Sequence, residues 1–227
     1  MSKTEAPEAY RIGWVPFINS KIYLDSRPLI PRTETEYWVN EVIHKIKQSG
    51  IKKPKVLDLC AGSGCIGVAV AQEIPESQVV FVELDPKHHE NIKKNLLENN
   101  IDPSRTKILG GDLFERVEGK YDFILSNPPY IDMSLKRVAE SVLEHEPSLA
   151  LDGGQKGLEI IEKILEQLPR YLNAGGALFI EHEPEQKEEL SKHKMYLNSY
   201  PDQYGEPRFT QFDFSSPIDK LRTDRTL

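Results

Sequence analysis

Cysteine is nearly missing from this 227-residue chain, and the two present, Cys60 and Cys65, lie too close together to close a useful loop. Neither a disulfide framework nor a metal site is supported. Long apolar runs are also missing. The longest span only a few residues, such as 79–82, so no segment could cross a bilayer. Residues 1–5 lack the apolar core of a signal peptide, and the chain is expected to be cytoplasmic. Positive charge is not in excess either. The net charge of −7 supplies no global field for a phosphate backbone, so a nucleic-acid substrate would need a local basic patch. The obvious cluster, Lys52, Lys53 and Lys55, falls in a linker before a strand and reads as a solvated turn. Internal repeats and low-complexity segments are lacking as well.

With 38% hydrophobic and 29% charged residues, the chain has the composition of a globular protein. Its length suits one substantial core plus an appendage. Trp14, Val15, Phe17 and Ile18, then Ile22, Tyr23 and Leu24, parted by Asn19-Ser20, predict a short hairpin too small for its own core. Thr33 and Glu36 have capping-box spacing, and Trp38, Val39, Val42, Ile43 and Ile46 form a helical stripe ending near Gly50. A βα alternation follows: strands over 56–59 and 79–83, a weak one at 108–109, then 121–126 and 177–181. Helices are expected around 66–74, 86–99 and 158–172. Residues 194–197 and 209–214 could add an antiparallel edge. Such alternation predicts an α/β fold with a mainly parallel, doubly wound sheet and a ligand at the carboxyl ends of its strands. The expected division is an arm over 1–32 and a catalytic domain over 33–227.

Between the first strand and its helix lies Asp58-Leu59-Cys60-Ala61-Gly62-Ser63-Gly64-Cys65-Ile66-Gly67, which contains a literal G-x-G-x-x-G. Glu83 ends the next strand, 21 residues after Gly62. Glycines there let backbone approach a ligand, and an acid ending the second strand accepts ribose hydroxyls. A nicotinamide enzyme shares that arithmetic. Two features favour S-adenosyl-L-methionine instead. Asp58 would oppose a pyrophosphate but favour an ammonium, and Asp112, after the third strand, could accept an adenine amino hydrogen. No His or Tyr/Lys pair stands out for hydride transfer.

Asn127-Pro128-Pro129-Tyr130 follows the fourth predicted strand, and two prolines cannot continue a sheet ladder. The result is a stiff loop presenting an amide, an aromatic ring and carbonyls without competing N–H groups. These suit a planar NH2 group: the Asn127 side-chain oxygen and the Pro128 carbonyl accept its hydrogens, and Tyr130 covers its face. A plain strand-ending turn is the simpler alternative. Arg32 could hold a substrate or cofactor carboxylate bidentately or pair with Glu34 or Glu36, and Arg208 carries the same ambiguity. His44, His88, His89 and His193 are expected to face solvent, with His145 and His182 nearer strand ends. Glu181 and Glu183 read as structural acids at the sheet edge.

Together, residues 29–36, 58–64, 126–131, 146–154 and 204–209 resemble the HemK/PrmC family, whose members methylate the glutamine amide nitrogen in the Gly-Gly-Gln loop of translation release factors. The resemblance spans roughly residues 10–214. It implies a class I S-adenosyl-L-methionine-dependent methyltransferase with a Rossmann-like, seven-stranded sheet. Cys60, Ala61, Gly62, Ser63, Gly64 and Glu83 would cradle the cofactor, Leu113 would flank the adenine, and Asn127, Pro128, Pro129 and Tyr130 would hold the glutamine amide. The family usually carries a helical N-terminal domain that helps dock the release factor, and here only residues 1–30 precede Pro31-Arg32-Thr33-Glu34. Position 113 is Leu where relatives can carry an aromatic, and position 33 is Thr where a second proline is usual. The aromatics Trp14 and Phe17 then become the remaining surface for a release factor, unless they pack against the helix bearing Trp38. Adenine or guanine amino groups of DNA or RNA form the alternative substrate class, because that chemistry uses the same Asn-Pro-Pro-Tyr clamp. An inactive cofactor-binding scaffold is the other alternative.

Overall fold

The computed structural model describes residues 5–214; residues 1–4 and 215–227, the outer ends of the expected arm and catalytic domain, lie outside them. The arm begins with a short helix, α1 (Glu8–Ile12), which no periodicity announced. It continues as an antiparallel hairpin of β1 (Trp14–Phe17) and β2 (Ser20–Tyr23). Phe17 pairs with Ser20, so the turn is Ile18-Asn19 rather than Asn19-Ser20, with Ile18 at a φ of 54°. Helix α2 (Thr33–Gln48) follows. The expected capping box does not form: Arg32 is the N-cap, and the Glu36 carboxylate instead accepts the Ile18 backbone N–H.

Among the described residues seven strands build one sheet: β3 (Lys55–Leu59), β4 (Gln78–Glu83), β5 (Thr106–Gly110), β6 (Tyr121–Ser126), β7 (Leu172–Glu181), β8 (Tyr196–Pro201) and β9 (Pro207–Asp213). Their order is β5-β4-β3-β6-β7-β9-β8, parallel from β5 to β7 and antiparallel where β9 joins β7 and β8. Alternate residues of each strand serve opposite faces, as the two-residue period requires. Val56 packs with α2, α3 (Cys65–Glu73) and α4 (His89–Glu98), whereas Leu57 and Leu59 pack with α6 (Glu159–Tyr171), which follows the short α5 (Glu140–His145). A last short helix, α7 (Lys187–Leu190), precedes β8. Among the described residues no helix is long and apolar enough to cross a membrane.

The chain lays β4 and β5 on one side of β3, then returns to place β6 on the other, so the strand order reverses between β3 and β6. That reversal opens a crevice at the carboxyl ends of these two strands. Leu59 pairs with Ser126 across it, and the Ser126 hydroxyl donates to the Leu59 carbonyl at 2.7 Å. The glycine turn after β3 and the Asn-Pro-Pro-Tyr loop after β6 therefore leave the sheet side by side.

Phe17 is 1% exposed and shares a core with Trp38, Val39 and Phe209, which corrects its assignment to a docking surface. Trp14 is half-buried, with the Lys21 ammonium 4.4 Å from its ring centre. Phe17→Ala should cost about 3–5 kcal/mol, the usual range for emptying an aromatic site in a core. Urea denaturation of the variant checks this, and a loss under ~1 kcal/mol would contradict such burial.

Candidate active site

The crevice between β3 and β6 is a cleft of about 1080 Å³ including its open mouth, enough for a nucleoside-sized ligand and a substrate side chain. One half is made by Cys60, Ala61, Gly62 and Ser63 with Glu83, Asp112 and Leu113. The other carries Thr35, Asn127, Pro129 and a collar of Leu29, Pro31, Pro147 and Leu149. The turn needs left-handed backbone: Gly62 has φ 54° and Gly64 φ 78°. A Cβ on Gly62 would meet nothing within 4 Å, so its bare backbone leaves room at the cleft wall.

Glu83 supports that turn. Its carboxylate accepts the Gly62 N–H at 2.7 Å and the Asp85 N–H at 2.8 Å. Burial raises its pKa, while the two N–H groups oppose the shift. Asp58, expected to face an ammonium, does not line the cleft. It is completely buried beneath the turn, where one oxygen accepts the Gly67 N–H at 2.9 Å and the other has no partner among the described residues. Burial pushes its pKa well up.

Charge decides what the cleft admits. Among the described residues, Glu83, Asp85, Asp112 and Asp152 line it with no Lys or Arg, so the side chains would repel a pyrophosphate. A sulfonium, an ammonium and ribose hydroxyls fit this set of acidic acceptors. The residues present therefore suit S-adenosyl-L-methionine better than a dinucleotide. Among the described residues no Phe, Tyr or Trp lines the cleft, and the one aromatic ring there, the His88 imidazole, is held by Ser26, which gives little of the stacking platform that an extruded base ordinarily uses.

Asn127 is held by a network that joins segments far apart in the chain. Its Nδ2 donates to Thr35 Oγ1 at 3.2 Å, which leaves Oδ1 as the atom for a ligand. The Thr35 hydroxyl donates to Glu181 at 2.7 Å, Trp38 Nε1 donates to the same carboxylate oxygen at 2.6 Å, and the Tyr130 hydroxyl donates to the other at 2.8 Å. Glu181 is 1% exposed; burial raises its pKa and the three donors offset this. Tyr130 therefore has a different place from the one expected. It does not line the cleft, its hydroxyl is committed to Glu181, and Pro128 is buried beside it. The loop is rigid beyond Tyr130 too: Gln186 donates to the Tyr130 carbonyl at 2.9 Å, and a Cβ on Gly157 would come within 1.9 Å of that oxygen.

The arginines resolve into ion pairs. Arg32 binds Glu146 at 2.7 Å, not Glu34 or Glu36, and Glu146 also accepts the Ile30 N–H at 3.0 Å. This pair ties the segment before α2 to the loop carrying Pro147 and Leu149, and Arg32 itself is outside the cleft lining. Arg208 binds the buried Asp202 at 3.2 Å. His88, expected in solvent, is 4% exposed and lines the cleft, with Nδ1 2.7 Å from Ser26 Oγ; burial takes its pKa down to about 4 and keeps the ring neutral. His182 is completely buried against Thr210, likewise pushed down to about 4 by burial. Among the described residues no group of three or more His, Cys, Asp or Glu is placed to hold a metal ion.

The methyltransferase small domain family model matches residues 41–155. The chain is 37% identical over 177 residues to a release factor glutamine methyltransferase of Francisella tularensis, covering 78% of this chain and 61% of that protein. It is 32% identical over 204 residues to the protein of the same name in Clostridium botulinum, covering 88% and 70%. It thus spans about three fifths of the first relative's length and somewhat more of the second's. Among solved structures, the hMettl16 catalytic domain in complex with MAT2A 3'UTR hairpin 6 superposes with a TM-score of 0.63 at 18% identity, covering 87% of this chain and 77% of that one. At that identity the likeness concerns the fold alone.

Proposed function

Since the chain belongs to the methyltransferase small domain family and to the release factor glutamine methyltransferase family, we propose that it methylates the side-chain amide nitrogen of a glutamine in the Gly-Gly-Gln loop of a peptide chain release factor, with S-adenosyl-L-methionine as donor. Acting on translation, it works in the cytoplasm. The observation that carries this reading is Asn127, whose side-chain oxygen is freed by Thr35 next to an acidic, phosphate-excluding half-cleft.

When bound, the cofactor supplies an electrophilic methyl group on a sulfonium. Cys60, Ala61, Gly62, Ser63 and Gly64 give it close backbone, Glu83 takes the ribose hydroxyls, and Asp112 and Leu113 border the adenine. An amide nitrogen is a weak nucleophile because its lone pair is delocalised into the carbonyl. Asn127 Oδ1 and the Pro128 carbonyl accept its two hydrogens, which favours a pyramidal nitrogen with its lone pair directed across the cleft. Tyr130, Pro129 and Glu181 keep these acceptors fixed. No strong base is needed, because the amide proton can leave after transfer.

Glu83→Ala should weaken binding of S-adenosylhomocysteine, the demethylated cofactor, by about 1.5–3 kcal/mol, since charged hydrogen bonds to the ligand and both turn anchors are lost. Titration calorimetry reads this, and wild-type affinity in the folded variant contradicts the assigned ribose contact. The substrate reading is tested by competition: with purified release factor and duplex DNA in one reaction, labelled methyl should appear on the protein. Labelling of DNA assigns the chain to base methylation, and cofactor binding with no transfer to either leaves it a scaffold.

A further inference from the structure

Among the described residues strand β2 pairs with β1 alone, and its other edge faces helix α4. There, Asn91, Asn95 and Asn99 stand at i, i+4 and i+8 and are all buried. Asn99 accepts the Lys21 N–H at 2.9 Å and donates to its carbonyl at 2.8 Å. Asn95 does the same for Tyr23 at 2.7 and 3.1 Å. Asn91 donates to the Tyr23 carbonyl at 2.9 Å and accepts the Ser26 N–H at 3.3 Å. The match is geometric: four helical residues rise about 6 Å, close to the ~6.7 Å spacing of alternate strand residues. A row of side-chain amides thus takes the place of a neighbouring strand.

Asn95 differs from the other two. It is completely buried, and its Nδ2 also donates at 2.8 Å to the carbonyl of Ser63, in the glycine turn that walls the cleft. That carbonyl belongs to the peptide leading into Gly64, so its direction is coupled to the left-handed backbone the turn requires. The arm meets the cleft a second time where Ser26 Oγ lies 2.7 Å from Nδ1 of the cleft-lining His88. Resting on the cofactor reading above, we infer that Asn95 is a positioning residue of the cofactor site, one amide that holds both Ser63 and Tyr23 and so couples order in the N-terminal arm to cofactor binding.

The test compares Asn95→Asp with Asn99→Asp by calorimetric titration with S-adenosylhomocysteine, circular dichroism reporting folding. Both substitutions keep side-chain volume and remove a donor from a β2 carbonyl; Asn99→Asp also removes the donor to the Asn95 backbone carbonyl, but only Asn95→Asp turns an oxygen towards Ser63. Asn95→Asp should raise Kd about tenfold, while Asn99→Asp stays within about twofold and lowers only the melting temperature. A purely structural Asn95 would lower stability and leave Kd alone. Hydrogen exchange of the unsubstituted protein gives the reciprocal reading, since coupling must run both ways. The Tyr23 amide should exchange more slowly once S-adenosylhomocysteine is added. Unchanged Tyr23 exchange overturns the coupling, and wild-type Kd in folded Asn95→Asp, or equal weakening by Asn99→Asp, overturns the positioning role of Asn95. Failure of the unsubstituted protein to bind S-adenosylhomocysteine overturns the cofactor reading itself, and the coupling with it.

Discussion

Asn127→Ala is expected to lower the rate of methyl transfer about 10²–10³-fold, the usual cost of deleting one oriented hydrogen-bonding group from a reacting site, while cofactor affinity stays near wild type. The asymmetry follows from the geometry. Oδ1 is the polar atom that the Thr35 contact leaves for a substrate, and its stabilisation grows only as the substrate nitrogen pyramidalises. Removing it also leaves Thr35 Oγ1 without its amide donor, but the hydroxyl still donates to Glu181, so the surrounding network survives. Single-turnover rates at saturating release factor, beside calorimetric titration, separate the two effects. A folded Asn127→Ala enzyme that keeps most of its turnover contradicts the amide clamp.

Gly64→Val is expected to abolish measurable cofactor binding, or weaken it at least about tenfold, for a reason the structure makes specific. A valine Cβ would not enter the cleft. It would sit 3.1 Å from Ile92 Cγ2 and 3.4 Å from Phe81, behind the turn. A β-branched residue at a φ of +78° is a backbone outlier, costing about 1–3 kcal/mol where the surroundings hold it. The turn relieves both strains by moving away from α4, which displaces Gly62 and Ser63 from the cleft wall. Wild-type titration curves from a folded Gly64→Val protein would show that the turn is not part of the cofactor site.

These two positions also mark how far the sequence is legible. The central strands read as short apolar runs, buried on both faces, between helical stretches, and the buried helices through stripes such as Ile161, Leu165 and Leu168. The glycine turn and Glu83 were visible as local spacing, and Asn127 because two prolines must end a strand. Contacts between distant segments carried no such mark. Glu181 looked like an edge acid, yet it collects donors from Thr35, Trp38 and Tyr130, the first two more than 140 positions away. Arg32 lies 114 positions from Glu146, so local reasoning, which left open a ligand carboxylate and the neighbouring Glu34 or Glu36, named none of its actual partners. Tyr130 was assigned to the substrate on residue type, but a hydroxyl beside a buried carboxylate satisfies that acid first. One missed feature did leave a signal: Asn91 and Asn95 of α4, with Asn99 at its C-cap, form a polar stripe beside the apolar Ile92 and Leu96. Buried amides at that spacing require backbone partners, which the arm supplies.

The measurement that bears most directly on the central claim is peptide mapping of a purified release factor after incubation with the protein and methyl-labelled S-adenosyl-L-methionine. One added methyl on the glutamine of the Gly-Gly-Gln peptide, present with the unsubstituted protein and missing with Asn127→Ala, is the predicted result. Label on another residue, on nucleic acid alone, or undiminished on that glutamine in the Asn127→Ala reaction would contradict it.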